Sequence, residues 1–343
     1  MANQNIRQPR FYVDLVNFLL SRGIGTGEFA VKTGTNLIGV QSGSDIDLFD
    51  MRPLNQVSFD TSADTDGHVL INIDTQGSHS KSFIAVLNHN MKSADASIRV
   101  GYADAASSIV AADFSSGTLL GSTSTITEVV NADTIAGTSP YLISPATDGH
   151  TLFTFSSRDE RHFAIQFEGS DGNFSSTDLK IGCILIGEHY NMPVSPELSL
   201  KRSIEFDKVT QQESIGGQRF SNLLNIGRLG SSSSKTAFNL ANNNRRTYGG
   251  RIKYDMSFNY LSSTDLMPNE YFQDQQTDDA VIEDVWNKTN GRHIPFIFSI
   301  DKDSSGDGAE SEHILARFAQ DSLDMTQVAP DVYNIKMKIE EEF

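Results

Sequence analysis

Arg251-Ile-Lys-Tyr-Asp-Met-Ser-Phe-Asn-Tyr-Leu261 alternates along its whole length. Ile252, Tyr254, Met256, Phe258 and Tyr260 fall on one face, and Lys253, Asp255, Ser257 and Asn259 on the other. A period of two does not fit a helix; it describes a strand with one buried and one solvated face. The flanking runs agree. Leu198–Phe206 alternates with one lapse, Ile294–Ile300 and His313–Ala319 read as a strand pair across a polar loop, and Val332–Ile339 reads as a last strand. Between them Asp265–Asn290 carries the only long helical pattern. Asp265 suits the cap, Pro268 the first turn and Gly291 the stop, with Ala280, Val281, Val285 and Trp286 on one face. The Ser/Asn-rich stretch 228–245 predicts an exposed excursion.

Toward the N-terminus, Asn191-Met-Pro-Val-Ser-Pro196 places two prolines within four residues, which stiffens a linker and marks a domain boundary. Residues 31–192 read as an all-β domain. Its strand candidates are Val69–Ile73, Phe83–Leu87, Ser97–Tyr102, Leu152–Phe155, His162–Phe167 and Leu179–Ile186. Thr-Asp-Gly-His occurs at 65–68 and again at 147–150, each time just before a strand, which is repeated turn chemistry. Residues 104–139 are rich in Ser, Thr, Ala and Gly and predict long loops with one or two weak strands. Residues 1–30 form an N-terminal arm. Within it Arg10–Arg22 predicts a helix, or a strand running into one, that either docks on a neighbour or covers its own domain. Gly23-Ile-Gly-Thr-Gly27 lacks the Lys-Ser/Thr of a phosphate loop. The fold class is thus mostly β, with domains at 31–192 and 193–343, the second a β-sandwich carrying one main helix.

Bulk chemistry narrows the function. The 343 residues hold 44 acids against 27 bases, a net charge of −17, which disfavours a nucleic-acid partner. The apolar residues at 11–20 are too few and too interrupted for membrane insertion. The single cysteine, Cys183, lies in an apolar run and reads as a buried, inert thiol. No G-x-S-x-G, H-E-x-x-H, Walker loop or C-x-x-C is present. Asp159, Glu160, Arg161 and His162 sit together but read as a charged turn rather than a catalytic set. No enzyme activity and no organic cofactor is expected. One stretch matches a metal template: Asp301, Asp303, Ser305, Asp307 and Glu312, with Gly306 as the turn, follow the spacing of a calcium loop, though its flanks read as strands. Arg7, Arg10 and Arg22 make the first segment locally basic. With Phe11 they are the candidate partner-binding residues, suited to an acidic neighbour.

Phe83-Ile-Ala-Val-Leu-Asn-His-Asn-Met-Lys-Ser-Ala-Asp-Ala96, followed by a second strand, resembles a segment of tailed-bacteriophage virion structural proteins. Arg161–Gly187, with Leu179-Lys-Ile-Gly-Cys-Ile-Leu-Ile-Gly187, resembles the same proteins, and together the two resemble galactose-binding-like jelly rolls carried on virions. The C-terminal half is similar in outline through Ser214-Ile-Gly-Gly217, Pro295-Phe-Ile-Phe298 and Ala316-Arg-Phe318. The resemblance implies a jelly-roll β-sandwich at 31–192 and a tail-tube or ring-like domain at 193–343. It implies a virion protein made in the host cytoplasm, which acts as an adaptor or ring component of the distal tail or baseplate. Its partners would be other tail proteins and further copies of itself. The alternative is a carbohydrate-recognising receptor-binding protein with a host glycan as ligand, for which Tyr141, Phe174 and Tyr190 are the candidate stacking residues. A glycan-degrading enzyme would want a carboxylate pair that the sequence does not single out.

Overall fold

The computed structural model describes the chain except residues 1–6, 24–28, 106–116, 122–124, 135–141, 206–209, 222–250, 268–279, 307–308, 310–311 and 343. The elements of the first half are β1 (Arg10–Asp14), α1 (Leu15–Ser21), β2 (Phe29–Val31), β3 (Val40–Ser42), β4 (Val57–Phe59), β5 (Val69–Asp74), β6 (Lys81–His89), α2 (Met91–Ala94), β7 (Ala96–Ala103), β8 (Thr118–Leu119), β9 (Ile126–Val130), β10 (Gly149–Arg158), β11 (His162–Gly169), β12 (Leu179–Ile181) and β13 (Cys183–Asn191). The second half contributes β14 (Lys201–Glu205), β15 (Gln211–Glu213), β16 (Arg219–Ser221), β17 (Arg251–Ser262), α3 (Ser263–Leu266), β18 (Phe296–Ser299), β19 (His313–Phe318), β20 (Met325–Ala329) and β21 (Val332–Glu341).

One antiparallel sheet runs through both halves in the order β14-β17-β21-β19-β18-β1-β13-β6-β10-β9, with β20 also on β21. Its β9–β13 end faces a second sheet, β2-β5-β11-β7-β8, and the two close a sandwich. Ile84, Val86, Phe153, Ile184 and Ile186 from one sheet meet Ile71, Ile98, Val100, Phe163 and Ile165 from the other. The opposite face of the long sheet is also covered there. Phe83, Ala85, Leu87, Cys183 and Leu185 pack with Ile294, Ile297, Ala309 and Leu315 of the second domain. Burial on both faces is why Phe83–Leu87 and Cys183–Ile186 read as continuous apolar runs rather than as alternation.

The strand that joins the domains is β1. It pairs Phe11 with Tyr190 and Val13 with Glu188 on one side, and Phe11 with Phe298 on the other. A Cβ on Gly187 would lie 2.1 Å from the Val13 carbonyl oxygen, so only glycine lets β1 approach β13. The apolar run Leu179–Ile186 expected as one strand is divided at Gly182, whose Cβ would lie 2.1 Å from the Pro53 carbonyl. Its first part pairs with β4 in a three-stranded sheet, and its second part joins the long sheet.

In β17 the expected alternation holds to Phe258 and then inverts. Asn259 and Tyr260 together face Asn334, a bulge that puts Tyr260 at φ 63° and 75% exposed while Leu261 is buried. One extra residue flips the parity of everything after it. The expected helix at 265–290 is represented by α3, capped by Ser262 rather than Asp265, and by a π-helix at Val281–Asn287. Its middle lies outside the described residues. Val281 and Val285 cover the inner face of the second-domain sheet against Phe258, Phe296 and Met337.

Candidate functional site

Among the described residues, most exposed large apolar side chains belong to the second domain. Leu198, Ile204, Ile215, Phe220, Tyr260, Met325 and Val328 are exposed there, against Ile46 and Leu54 in the first domain. Leu198 and Ile204 flank and occupy β14, the terminal strand of the long sheet, and they are 88% and 59% exposed. Ile215 and Phe220 belong to the hairpin β15–β16. Its turn closes through Gly217 N–H to the Ser214 carbonyl at 2.8 Å, with Gly217 at φ 80°, and one exposed ion pair links Arg219 to Glu213 at 3.2 Å. Beside β14, the outer face of β17 and β21 forms a polar groove of about 830 Å³, lined by Glu197, Ser257, Asn259, Asp324, Lys336 and Lys338. Ser257 and Asn259, two apart on the outer face of β17, both line that groove. Exposed apolar groups on and beside β14, next to a polar groove, are suited to protein contact.

The candidate partner-binding residues are placed differently from a free arm. Phe11 is fully buried against Phe296 and Phe298, with ring centroids 5.5 and 5.2 Å away. Arg10 donates to Asn191 at 2.6 Å. Arg7 reaches Asp303 at 3.1 Å and Asp301 at 3.5 Å. Arg22 stands at the surface over the Phe18 ring. The basic segment does meet an acidic surface, but that surface belongs to its own second domain. Burying the apolar side chains of β1 requires both neighbouring strands, so the segment cannot swing.

The calcium reading meets the same contact. Asp301 and Asp303 pair with the Arg7 guanidinium, which brings a positive charge to two of the carboxylates a cation would need. The Asp301 carboxylate also accepts from the Asp303 N–H at 2.9 Å, closing a local turn. Gly306 makes the expected turn at φ 78°, yet its N–H donates outward to the Val129 carbonyl at 3.0 Å. Ser305 is exposed and the Glu312 N–H bonds to the Ala309 carbonyl; Asp307 lies outside the described residues. Among the described residues no three carboxylate, His or Cys groups gather as a metal site. The described residues 301–306 reach the first domain through the Gly306 bond to Val129.

Other titratable groups have partners within the chain. Arg161 grips Asp74 through two bonds of 2.7 and 2.8 Å, Ser78 donates to Asp159 at 3.1 Å, and the buried Lys81 donates to the Glu160 carbonyl at 2.9 Å. Burial lowers the Lys81 pKa to about 8. The pair His89-Asn90 is also used internally. His89 bonds Thr151 at 2.9 Å, and Asn90 donates to the Asp178 carbonyl and accepts from the Lys180 N–H. Burial pushes His89 down to about 3 and His313 to about 4, and it holds His150 well below the usual range. Cys183 is buried and its thiol is pushed up by burial. Of the candidate stacking aromatics, Phe174 and Tyr190 are 4% and 6% exposed and so present no ring face; Tyr141 lies outside the described residues. The exposed end of the second-domain sheet carried a signal in sequence, the polar alternation of 198–206. Without knowing which strand closes the sheet, that signal could not be told from an ordinary half-buried strand.

No family model matches the chain, and no curated protein matches it. Among solved structures, chitosan-binding module 1 from a chitosanase/glucanase of Paenibacillus sp. IK-5 aligns at 10% identity and TM-score 0.28, covering 41% of this chain and 83% of that one. CpGH89CBM32-6, produced by Clostridium perfringens, aligns at 13% identity and TM-score 0.28, covering 48% of this chain and 95% of that one. Superpositions this loose carry no argument about what this chain binds. Among the described residues no helix is long and apolar enough to cross a membrane.

Proposed function

We propose that this chain is a non-enzymatic virion structural protein, an adaptor or ring component of a phage tail or baseplate that works through protein–protein contacts. The observation that carries the contact role is the exposed end of the second-domain sheet. Leu198 and Ile204 are exposed there, at 88% and 59%, and Ile215 and Phe220 are exposed on the separate hairpin β15–β16. Exposed apolar groups on and beside a terminal strand are suited to being covered by another protein. The placement in a virion comes from the resemblance of Phe83–Ala96, Arg161–Gly187 and the C-terminal half to phage structural proteins. A second support is rigidity. A sheet continuous across both halves, joined by β1 and by the Gly306–Val129 bond, is suited to carrying load.

The test is location. Purified phage particles, probed by mass spectrometry and by labelling with an antibody against the chain, should contain it in the tail fraction, and cross-linking should join it to tail proteins. Absence from particles would end the reading. A glycan-array signal from the purified chain that persists after Phe220→Ser and Ile215→Ser would instead favour carbohydrate recognition.

A further inference from the structure

We infer that two copies of this chain join edge to edge through β14, antiparallel about a two-fold axis at Ser203. The inference rests on the reading of the exposed sheet end as a contact surface and names its partner. Among the described residues β14 is paired on one side only, by β17. Its other side offers a row of backbone donors and acceptors, a template for a further strand. The opposite end of the sheet differs, because the Val129 carbonyl of β9 accepts from Gly306 at 3.0 Å. Head-to-tail addition of β14 onto β9 is therefore obstructed, and a pairing of like edges uses the end that no described strand covers.

The sequence of β14 selects the register. Lys201-Arg-Ser-Ile-Glu205, laid antiparallel on itself about Ser203, sets Lys201 across from the partner copy's Glu205, and Glu205 across from the partner copy's Lys201. Arg202 then faces the partner copy's Ile204. Opposite charges directly across an antiparallel pair attract. Parallel pairing in register would instead set each charge beside its own kind. Charged residues on an edge usually keep copies apart; in this register they draw them together.

The two faces of the strand agree with this. Lys201, Ser203 and Glu205 lie opposite Asp255, Lys253 and Arg251 of β17, in a charged array that includes an ion pair between Lys253 and Glu205. Arg202 and Ile204 lie opposite Tyr254 and Ile252, and the Arg202 guanidinium rests over the Tyr254 ring at 5.8 Å. Ile204, 59% exposed in one copy, would be covered by the aliphatic stem of the partner copy's Arg202.

The full-length chain is tested by size-exclusion chromatography with light scattering and by cysteine cross-linking. The expected mass is twice the 37.7 kDa of one chain. Ser203→Cys should give a disulfide-linked dimer under mild oxidation, because residues directly opposite in an antiparallel pair lie about 4.5–5.5 Å apart at Cα, within disulfide reach. Ile204→Cys should not, because it faces residue 202 of the partner copy. The native Cys183 is buried and does not compete. Lys201→Glu, at an exposed position, should weaken the dimer by roughly tenfold by turning two attractions into repulsions. A single-chain mass at concentrations up to about 100 µM, or equal cross-linking at 203 and 204, would overturn the inference. A monomeric chain found in particles would remove this pairing and leave the contact role standing. A chain dimeric through Ser203→Cys yet absent from particles would keep the pairing and remove the virion reading.

Discussion

Asp14 shows how one residue serves two elements. Its carboxylate accepts from the Asn17 N–H at 2.7 Å, capping α1, and from the Ile186 N–H at 3.1 Å, fastening β13. Burial raises its pKa to about 6. Asp14→Ala removes both bonds and leaves two enclosed backbone donors without their acceptor. It is expected to cost about 2–4 kcal/mol in denaturant unfolding, and a change below ~1 kcal/mol would show that water replaces the carboxylate. The calcium question also belongs to this scale. With Arg7 on Asp301 and Asp303, neither Ca²⁺ at millimolar concentration nor a chelator is expected to move the melting temperature of the purified chain. A rise on adding Ca²⁺ that Asp301→Ala abolishes would show that the carboxylates gather on the ion instead.

Among the elements, β1 matters most to the architecture. Removing residues 1–22 takes Phe11, Tyr12, Val13 and Leu15 out of the cores and parts β13 from β18. Phe11→Ala alone is expected to cost about 3–5 kcal/mol, as a fully enclosed ring leaves a cavity that aromatic neighbours cannot fill. A fragment of residues 30–194 lacks β1 and α1, and it is expected to lose cooperative unfolding by circular dichroism. A fragment that melts as sharply as the full chain would mean that β1 is an accessory strand. The Pro-rich segment at 191–196 marks a change of core, but it does not free the two halves from each other.

At the scale of the whole molecule, enclosed histidines set the response to acid. His89, His150, His189 and His313 are neutral in the fold, with pKa values lowered by burial to about 3 for His89 and about 4 for His189 and His313. A lowered histidine contributes stability that is fully present above its unfolded value of about 6.5 and is lost as pH falls toward the folded value, by about 1.4 kcal/mol per pH unit for each group. Asp14 and Glu341 act in the opposite sense. Burial raises them to about 6 and about 7, so their contribution is present at low pH and lost as pH rises through those values. The two carboxyls offset part of the loss from four histidines, and stability is expected to fall steeply from pH 6 to pH 4.5 in denaturant titrations. His89→Gln combined with His313→Gln should flatten that fall by about half or more. A flat profile in the parent chain would show that these rings are solvated.

The sequence by itself determined what depends on neighbours along the chain. The alternation of Lys253–Phe258, the strand into helix at Arg10–Arg22, the inert Cys183 and the turn at Gly306 all follow from side-chain period and local backbone preference, and all are present in the fold. The tertiary structure decided what depends on distant partners. Tyr260 turns outward because Asn334 faces two residues at once, and Leu179–Ile186 divides because Pro53 passes close to Gly182. Arg7 spends its charge on Asp301 and Asp303, and β14 rather than β17 ends the sheet. Strand pairing joins residues nearly three hundred positions apart, as Arg10 with Ser299. Periodicity states which face of a strand is apolar, but the hydrogen bonds that choose its neighbour are the same for every sequence.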